Sequence, residues 1–259
     1  MMVDDITLIK EIGQVLFGKI YLASKKGENT YYSVKMVDKS KYKKDKQDLE
    51  YLNIEINILL DVNHPNILKF NELKETLKKI YIITEYYNGG TLQNFMEKYL
   101  ESFNKVLSEE LVQYIMRQII EGVKYLHNKK IIHRSICLDN IMINYEDEND
   151  LLNNNIMKSK IKIIGFLSAR YLQKGELIKR VIGVPLTMEP NLIFKANHIQ
   201  EYGYDENADI WSLGIIFYQL LIGKNPFNAD NMKKLADELK KGDYYIPTTL
   251  SKEAISFLN

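Results

Sequence analysis

Residues 6–38 alternate apolar and polar side chains in three runs, ITLIKEIG, GKIYLAS and TYYSVKMV. A period of two predicts three β-strands, with KKGEN as the turn between the second and third. From Leu49 to Val62 the period changes. Leu52, Ile56, Leu59 and Leu60 fall on one helical face. Asn63-His64-Pro65-Asn66 ends that helix, because proline disfavours helical backbone in the residue before it. Strands are expected at 67–73 and 80–86, then a short helix over 91–100. Ser108-Glu109-Glu110 opens a long helix to about Asn128, with Ser108 as cap and acidic residues in the first turn. Its Leu111, Ile115, Ile119, Val123 and Leu126 are core positions. The Asn-rich interval 144–160 reads as a polar surface insertion between two strands, long for a hairpin connection. Residues 210–223 are apolar on nearly every side, which predicts a buried helix with Trp211 as core filler. Further helices are expected over 232–241 and 251–258.

The chain has 259 residues, 46% hydrophobic and 27% charged. That suffices for one large domain or two lobes sharing an interface. A formal net charge of +1 gives no electrostatic reason to expect nucleic acid or an anionic membrane as partner. A single cysteine excludes an internal disulfide and a Cys-rich metal site. MMVDDITLIK lacks the basic start and apolar run of a signal peptide. The run 210–223 is too short to span a bilayer. A soluble intracellular protein is expected, cytoplasmic or cytoskeleton-associated.

Candidate chemistry centres on Ile131–Ile143, IIHRSICLDNIMI. His133-Arg134-Ser135-Ile136-Cys137-Leu138-Asp139-Asn140 resembles the catalytic loop of eukaryotic protein kinases, H-R-D-L-K-x-x-N. Other motifs follow in family order. Gly13-Gln14-Val15-Leu16-Phe17-Gly18 is similar to the glycine loop G-x-G-x-x-G, whose open backbone approaches phosphates. Tyr32-Ser33-Val34-Lys35 stands at the V-A-I-K strand, and Glu55 lies 20 residues on. His64-Pro65-Asn66-Ile67, the strand Ile161–Arg170 at the D-F-G position and Asp209-Ile210-Trp211-Ser212-Leu213-Gly214 complete the set. Ala169–Gln173 and the final SKEAISFLN look nearest to the autophagy-initiating serine/threonine kinases.

The resemblance implies a two-lobed α+β protein-kinase-like fold. It would have a five-stranded sheet with the family's C-helix over 1–87. A mainly helical lobe over 88–259 would be cut short after the G-helix. It implies a nucleotide cleft formed by Gly13, Val15, Gly18, Ser33, Lys35, Glu55, Thr84, Glu85, Tyr87, Asn140 and Met142. Thr84 is the gatekeeper, and Glu85-Tyr86-Tyr87 is the hinge. Leu59, Phe70, His133, Phe166 and Asp209 match the stacked spine that joins the lobes. Lys35 also reads as an ordinary solvent-facing strand lysine, and a Lys35–Glu55 pair as a purely structural link. His64 reads as a cap.

The departures cluster on catalysis. The family's proton-accepting aspartate is Ser135, its phosphate-steadying lysine is Cys137, and its Mg²⁺-holding aspartate is Gly165. Val15 crowds the glycine loop. No catalytic residue is intact and no metal is expected, and ATP would bind weakly and without Mg²⁺. Asp139 and Cys137 read as bystanders rather than as substitute base and nucleophile. The segment 171–186 holds no Ser or Thr, with Tyr171 its only hydroxyl, so the usual phosphorylation switch has no site. Glu176 stands there as a possible fixed anion. The A-P-E glutamate is Asn191, and its arginine partner in a later helix does not occur before Asn259. These features point to a catalytically inactive kinase-like scaffold or binding module. A protein partner would cover a bare face along Leu213–Leu221. The alternatives are a nucleotide-gated switch and residual phosphotransferase activity.

Overall fold

A computed structural model describes residues 2–15, 17–42, 46–173, 175–178, 180–197 and 203–258. Leu16 of the glycine stretch, part of the charged run at 39–48, two lysines of the 171–186 segment and Asn259 lie outside the described residues.

The N-terminal part is an antiparallel sheet of β1 (Met2–Val3), β2 (Ile6–Val15), β3 (Gly18–Lys25), β4 (Tyr31–Asp38), β5 (Phe70–Glu75) and β6 (Lys79–Glu85). Their spatial order is β1-β2-β3-β4-β6-β5. The expected five strands are present, and β1 adds a sixth at the edge. Its two residues are too short to leave an alternation in the sequence. After β4 come a one-turn helix α1 (Lys39–Tyr42) and α2 (Lys46–Asp61), which begins three residues before its apolar face. Leu52, Ile56 and Leu59 of α2 share a core with Val37, Ile80 and Ile82 of the sheet. The opposite sheet face carries its own cluster of Ile6, Leu8, Ala23, Val34, Tyr81 and Ile83.

The second part is mainly helical. α3 (Leu92–Phe103) is capped by Thr91, and α4 (Glu109–Asn128) by Ser108, whose oxygen accepts from the Leu111 amide. Such a cap is worth about 1 kcal/mol. α4 buries Val112, Ile115, Met116, Ile119, Val123 and Leu126, with Leu111 at the margin. β7 (Ile131–Ile132) leads into the candidate loop. β8 (Ile141–Tyr145) pairs with β9 (Ser159–Ile163) in an antiparallel ribbon. Between them the Asn-rich interval is not featureless. It forms α5 (Glu148–Leu152), because Asp147 accepts from the amides of Asn149 and Asp150 at its start. β10 (Arg170–Tyr171) pairs with β7. α6 (Pro190–Ala196), α7 (Asn207–Ile222), α8 (Met232–Lys241) and α9 (Lys252–Leu258) follow. The core containing α4 runs unbroken to the sheet through Ile161, Ile163 and Phe166. A second core gathers Ile132, Leu192, Ile193, Ile215, Phe227 and Leu235.

α7 differs from its reading as a helix buried all round. Leu213, Ile215, Ile216, Tyr218, Leu220 and Leu221 are buried, while Ile210 is 53% exposed. A side chain built at Gly214 would meet nothing within 4 Å. Trp211 is half-buried and stacks on Phe227, centroids 6.2 Å apart. The less buried strip is therefore Ile210–Gly214–Phe217, with Phe217 against Phe257, while Leu213 and Leu221 of the stretch expected to be bare are buried. The strip positions recur at i, i+4 and i+7 on one face. Among the described residues, no helix is long and apolar enough to cross a membrane.

Candidate active site

The loop after β7 is held from below by Asp209, whose side chain is fully buried. One carboxylate oxygen accepts the His133 amide at 2.9 Å, and the other accepts the Arg134 amide at 2.8 Å. His127 Nε2 approaches the first at 2.9 Å. These bonds hold Arg134 at φ +65°, a conformation that L side chains rarely adopt. The His133 ring stands edge-on to Phe166 at 4.9 Å, and its Nε2 contacts the Ile164 carbonyl at 2.9 Å. Burial lowers His133 from the usual imidazole range, with Asp209 opposing. Leu59, Phe166 and the partly buried Phe70 lie in one core. The structure thus connects the two parts through the residues that the resemblance pointed to.

On this frame sits an altered set of groups. The Asn140 carboxamide donates to the Ser135 carbonyl at 2.8 Å and to its hydroxyl at 3.0 Å. Gly165 has φ +83°, and a Cβ there would lie 2.6 Å from Asn140 Oδ1. The amide of Asn140 fills the space that a side chain at 165 would use. Cys137 is buried, and burial pushes its thiol up, away from the thiolate a nucleophile needs. Asp139 is exposed.

Lys35 lies on β4 opposite Ile82, and its ammonium donates to both oxygens of Glu55 on α2, at 2.8 and 2.6 Å. The side chains are 15% and 7% exposed, so this is a nearly buried ion pair and not a solvent-facing lysine. Ser33 pairs with Thr84 across the sheet, and the Thr84 hydroxyl donates to the Ser33 carbonyl. Gly13 lies opposite Ile20, and Val15 opposite Gly18, where the hairpin closes. Gly18 is required by close packing, since a Cβ would come 2.2 Å from the Met36 carbonyl oxygen. At Gly13 a Cβ would meet only ordinary contacts. Met142 on β8 bridges to Thr91.

The hinge side chains turn to other work. Glu85 pairs with Lys69 at 3.5 Å and with Lys162 of β9 at 3.8 Å. The Tyr87 hydroxyl accepts the Lys69 amide at 3.0 Å, and Lys162 sits 5.3 Å over its ring. Burial draws Lys162 below the usual ammonium range, with Glu85 opposing. A lysine alternating along a strand reads as solvent-facing, so no local signal marks its burial.

In the segment after Phe166, Arg170 binds Glu176 at 2.6 Å, and Arg134 donates to the Tyr204 hydroxyl at 3.1 Å. Glu176 thus pairs with Arg170, while Arg134 bonds the Tyr204 hydroxyl and the Ser168 carbonyl. At the family's A-P-E position Asn191 donates to Glu189 Oε1 at 2.8 Å. Glu189 Oε2 is buried with no hydrogen-bond partner among the described residues. Burial raises its carboxyl above the usual range. His64 accepts the Asn66 amide at 3.1 Å and stacks on Tyr125, a capping role.

The family that the motifs resemble uses Mg²⁺, which demands hard oxygen ligands in near-octahedral geometry. Glycine at 165 offers no side-chain oxygen, and Asn140, whose amide nitrogen donates to Ser135, leaves only its Oδ1 as an oxygen donor there. The residues present do not fit such an ion.

A family model described as the protein kinase domain matches residues 6–259. The chain belongs to the protein kinase domain family. It is 31% identical over 241 residues to serine/threonine-protein kinase 33 of Bos taurus, covering 92% of this chain and 46% of that protein. It is 31% identical over 253 residues to the probable serine/threonine-protein kinase MARK-A of Dictyostelium discoideum, covering 97% of this chain and 22% of that protein. To myosin light chain kinase A of the same organism it is 29% identical over 253 residues, covering 96% of this chain and 78% of that protein. The chain thus spans less than half of the first two of these relatives.

Proposed function

We propose that this chain is a catalytically silent protein kinase-like domain that works as a binding or scaffold module, a two-lobed unit dividing near residue 87. The observation that carries this reading is the closed set Ser135–Asn140–Gly165. Phosphoryl transfer needs a positioned base and neutralised transition-state charge. General-base positioning alone is commonly worth about 10²–10⁴ in rate. A serine hydroxyl tied to an amide is no base at neutral pH, and the metal position lacks its ligand. The frame, by contrast, is held through Asp209, His133 and Phe166. Transfer of labelled γ-phosphate to generic protein substrates, with Mg²⁺ and with Mn²⁺, tests the reading. The expected rate equals that of a Lys35→Met control. Transfer abolished by Lys35→Met would overturn it.

A second reading is favoured by the Lys35–Glu55 contact. The pair suits a domain that binds ATP weakly without Mg²⁺ and uses it as a switch. A thermal unfolding scan with ATP, with and without Mg²⁺, separates the two. A ligand at 100 times its Kd stabilises by about 2.7 kcal/mol. A shift with ATP alone, lost in Lys35→Met, selects the switch, and no shift selects the scaffold.

A further inference from the structure

Lys162 of β9 is drawn inward. Its side chain is 11% exposed, against 47% for Lys160 two positions earlier on the same face. The Lys162 ammonium lies 5.3 Å over the Tyr87 ring and 3.8 Å from Glu85 Oε2, and among the described residues it makes no hydrogen bond. Glu85 is shared, since its other oxygen is 3.5 Å from Lys69. Lys160 has Glu146 at 3.9 Å. Three ammonium groups therefore face two carboxylates, and one cation is in excess. His64, also within electrostatic reach, brings no counter-charge. An ammonium placed this way is poorly solvated and crowded by like charge. Burial is the larger effect that draws Lys162 below the usual ammonium range. Lys69 and Lys160 add to it, while Glu85 and Glu146 oppose. Lysines desolvated beside another cation are the ones that serve as nucleophiles.

We infer that Lys162 is an acylation site whose donor is an acyl phosphate, with the anionic phosphate drawn to Lys69 and Lys160. The unprotonated amine attacks the acyl carbon. The carbon–oxygen bond to phosphate breaks, phosphate leaves with the electron pair, and the nitrogen gives its surplus proton to solvent. The products are a neutral amide at Lys162 and inorganic phosphate. Two observations point to this class of donor. Lys69 and Lys160 are well-exposed cations beside the amine, and their field concentrates an anionic reagent there. The narrow exposure of Lys162 itself suits a small acyl group. The consequence is mechanical. The amide carries no charge, so acylation removes both the pairing with Glu85 and the attraction to the Tyr87 ring. The hinge then loses a tie to β9. None of this depends on whether the chain transfers phosphate to other proteins.

The test is acetylation of the 259-residue chain by acetyl phosphate between about pH 6 and about pH 9, with the rate at each lysine read by peptide mass spectrometry. Lys78, exposed on the turn between β5 and β6, is the reference. At neutral pH Lys162 is expected to react at least about threefold faster than Lys78, and its rate is expected to level off at a lower pH. A rate no greater than that of Lys78, or a pH profile that coincides with it, would overturn the inference. Lys69→Met, a surface change, is expected to slow Lys162 severalfold and to leave Lys78 as it was. An undiminished rate there removes Lys69 from the site. Phenyl acetate, a neutral donor, is expected to favour Lys162 over Lys78 by a smaller ratio than acetyl phosphate does. The same ratio with both donors would defeat the choice of acyl phosphate. Lys162→Gln reproduces a neutral side chain. It is expected to speed exchange of the Lys69 amide, which donates to the Tyr87 hydroxyl at 3.0 Å. Unchanged exchange at Lys69 would sever acylation from the hinge. The labelling rates are measured on the parent chain, so they stand whether or not that variant folds.

Discussion

The Asn140 side-chain amide donates both of its hydrogen bonds to Ser135, at 2.8 and 3.0 Å, and the side chain so held occupies the side-chain space of Gly165. Two substitutions far apart in the chain are therefore coupled through a third residue. Restoring Asp at 165 must displace that amide and place a non-glycine residue at φ +83°. Gly165→Asp is expected to lose about 1–2 kcal/mol of stability in thermal denaturation. With Ser135→Asp added, phosphate transfer is expected to stay at the level of the parent chain. A double variant that gains Mg²⁺-dependent transfer would show that the loop geometry is still catalytic.

The Lys35–Glu55 pair is nearly buried, so removing one partner strands the other. Lys35→Met and Glu55→Gln are each expected to cost about 2–4 kcal/mol in urea unfolding. The double change to Lys35→Met with Glu55→Met is expected to recover most of that loss. Recovery assigns the pair to architecture. Additive losses would point to separate roles for the two side chains.

Asp209 accepts two backbone amides and faces His127. Asp209→Asn turns part of the acceptor into a donor facing donors. The expected loss is about 2–4 kcal/mol, with the Arg134 backbone released from its positive φ. Urea unfolding gives the loss, and amide exchange at Arg134 reports the release.

The carboxyl of Glu189 is raised by burial, with Asp205 adding to the shift and the Asn191 amide opposing it. Its contribution to stability is full below the unfolded value near 4.5 and is lost as pH rises through the higher folded value. Glu189→Gln is therefore expected to stabilise the chain at pH 7 by about 1 kcal/mol, the scale of one unsatisfied buried acceptor. At pH 4 it is expected to change nothing. Thermal scans across that range check the sign.

The buried thiol of Cys137 is expected to react with a disulfide reagent at least about 100-fold more slowly in the native chain than in urea. Rapid native labelling would return it to the list of candidate nucleophiles.

Much of the frame was legible because it is written in local signals. Ser108 caps α4 where the Ser-Glu-Glu run stands, and the strand carrying Lys35 alternates as a strand does. Asp209 was legible through its motif. The rest depends on relations that the sequence order conceals. β1 is too short to show a period. α5 rests on one aspartate cap and a five-residue stretch too short to show a helical period. Which face of the apolar helix α7 stays uncovered is decided by its neighbours, and its own composition is nearly uniform. The inward turn of Asn140 depends on space left 25 residues later. Nothing in the local pattern around Lys162 or Glu189 marks either as buried.

Residues 66–68 are stitched to β9. The Leu68 amide donates to the Ile163 carbonyl, the Ile163 amide to the Asn66 carbonyl, and the Asn66 side chain to the Ile161 carbonyl, all at 2.9 Å. Lys162, between them, reaches the hinge at Glu85. In a catalyst, rocking between lobes admits substrate and releases product. On the scaffold reading proposed above, the seam sets the angle between them before any encounter. A visitor touching both would meet a finished shape, and little of its binding energy would go into ordering the host. Stiffness, a handicap for turnover, is an asset in a gauge block, against which other parts are aligned.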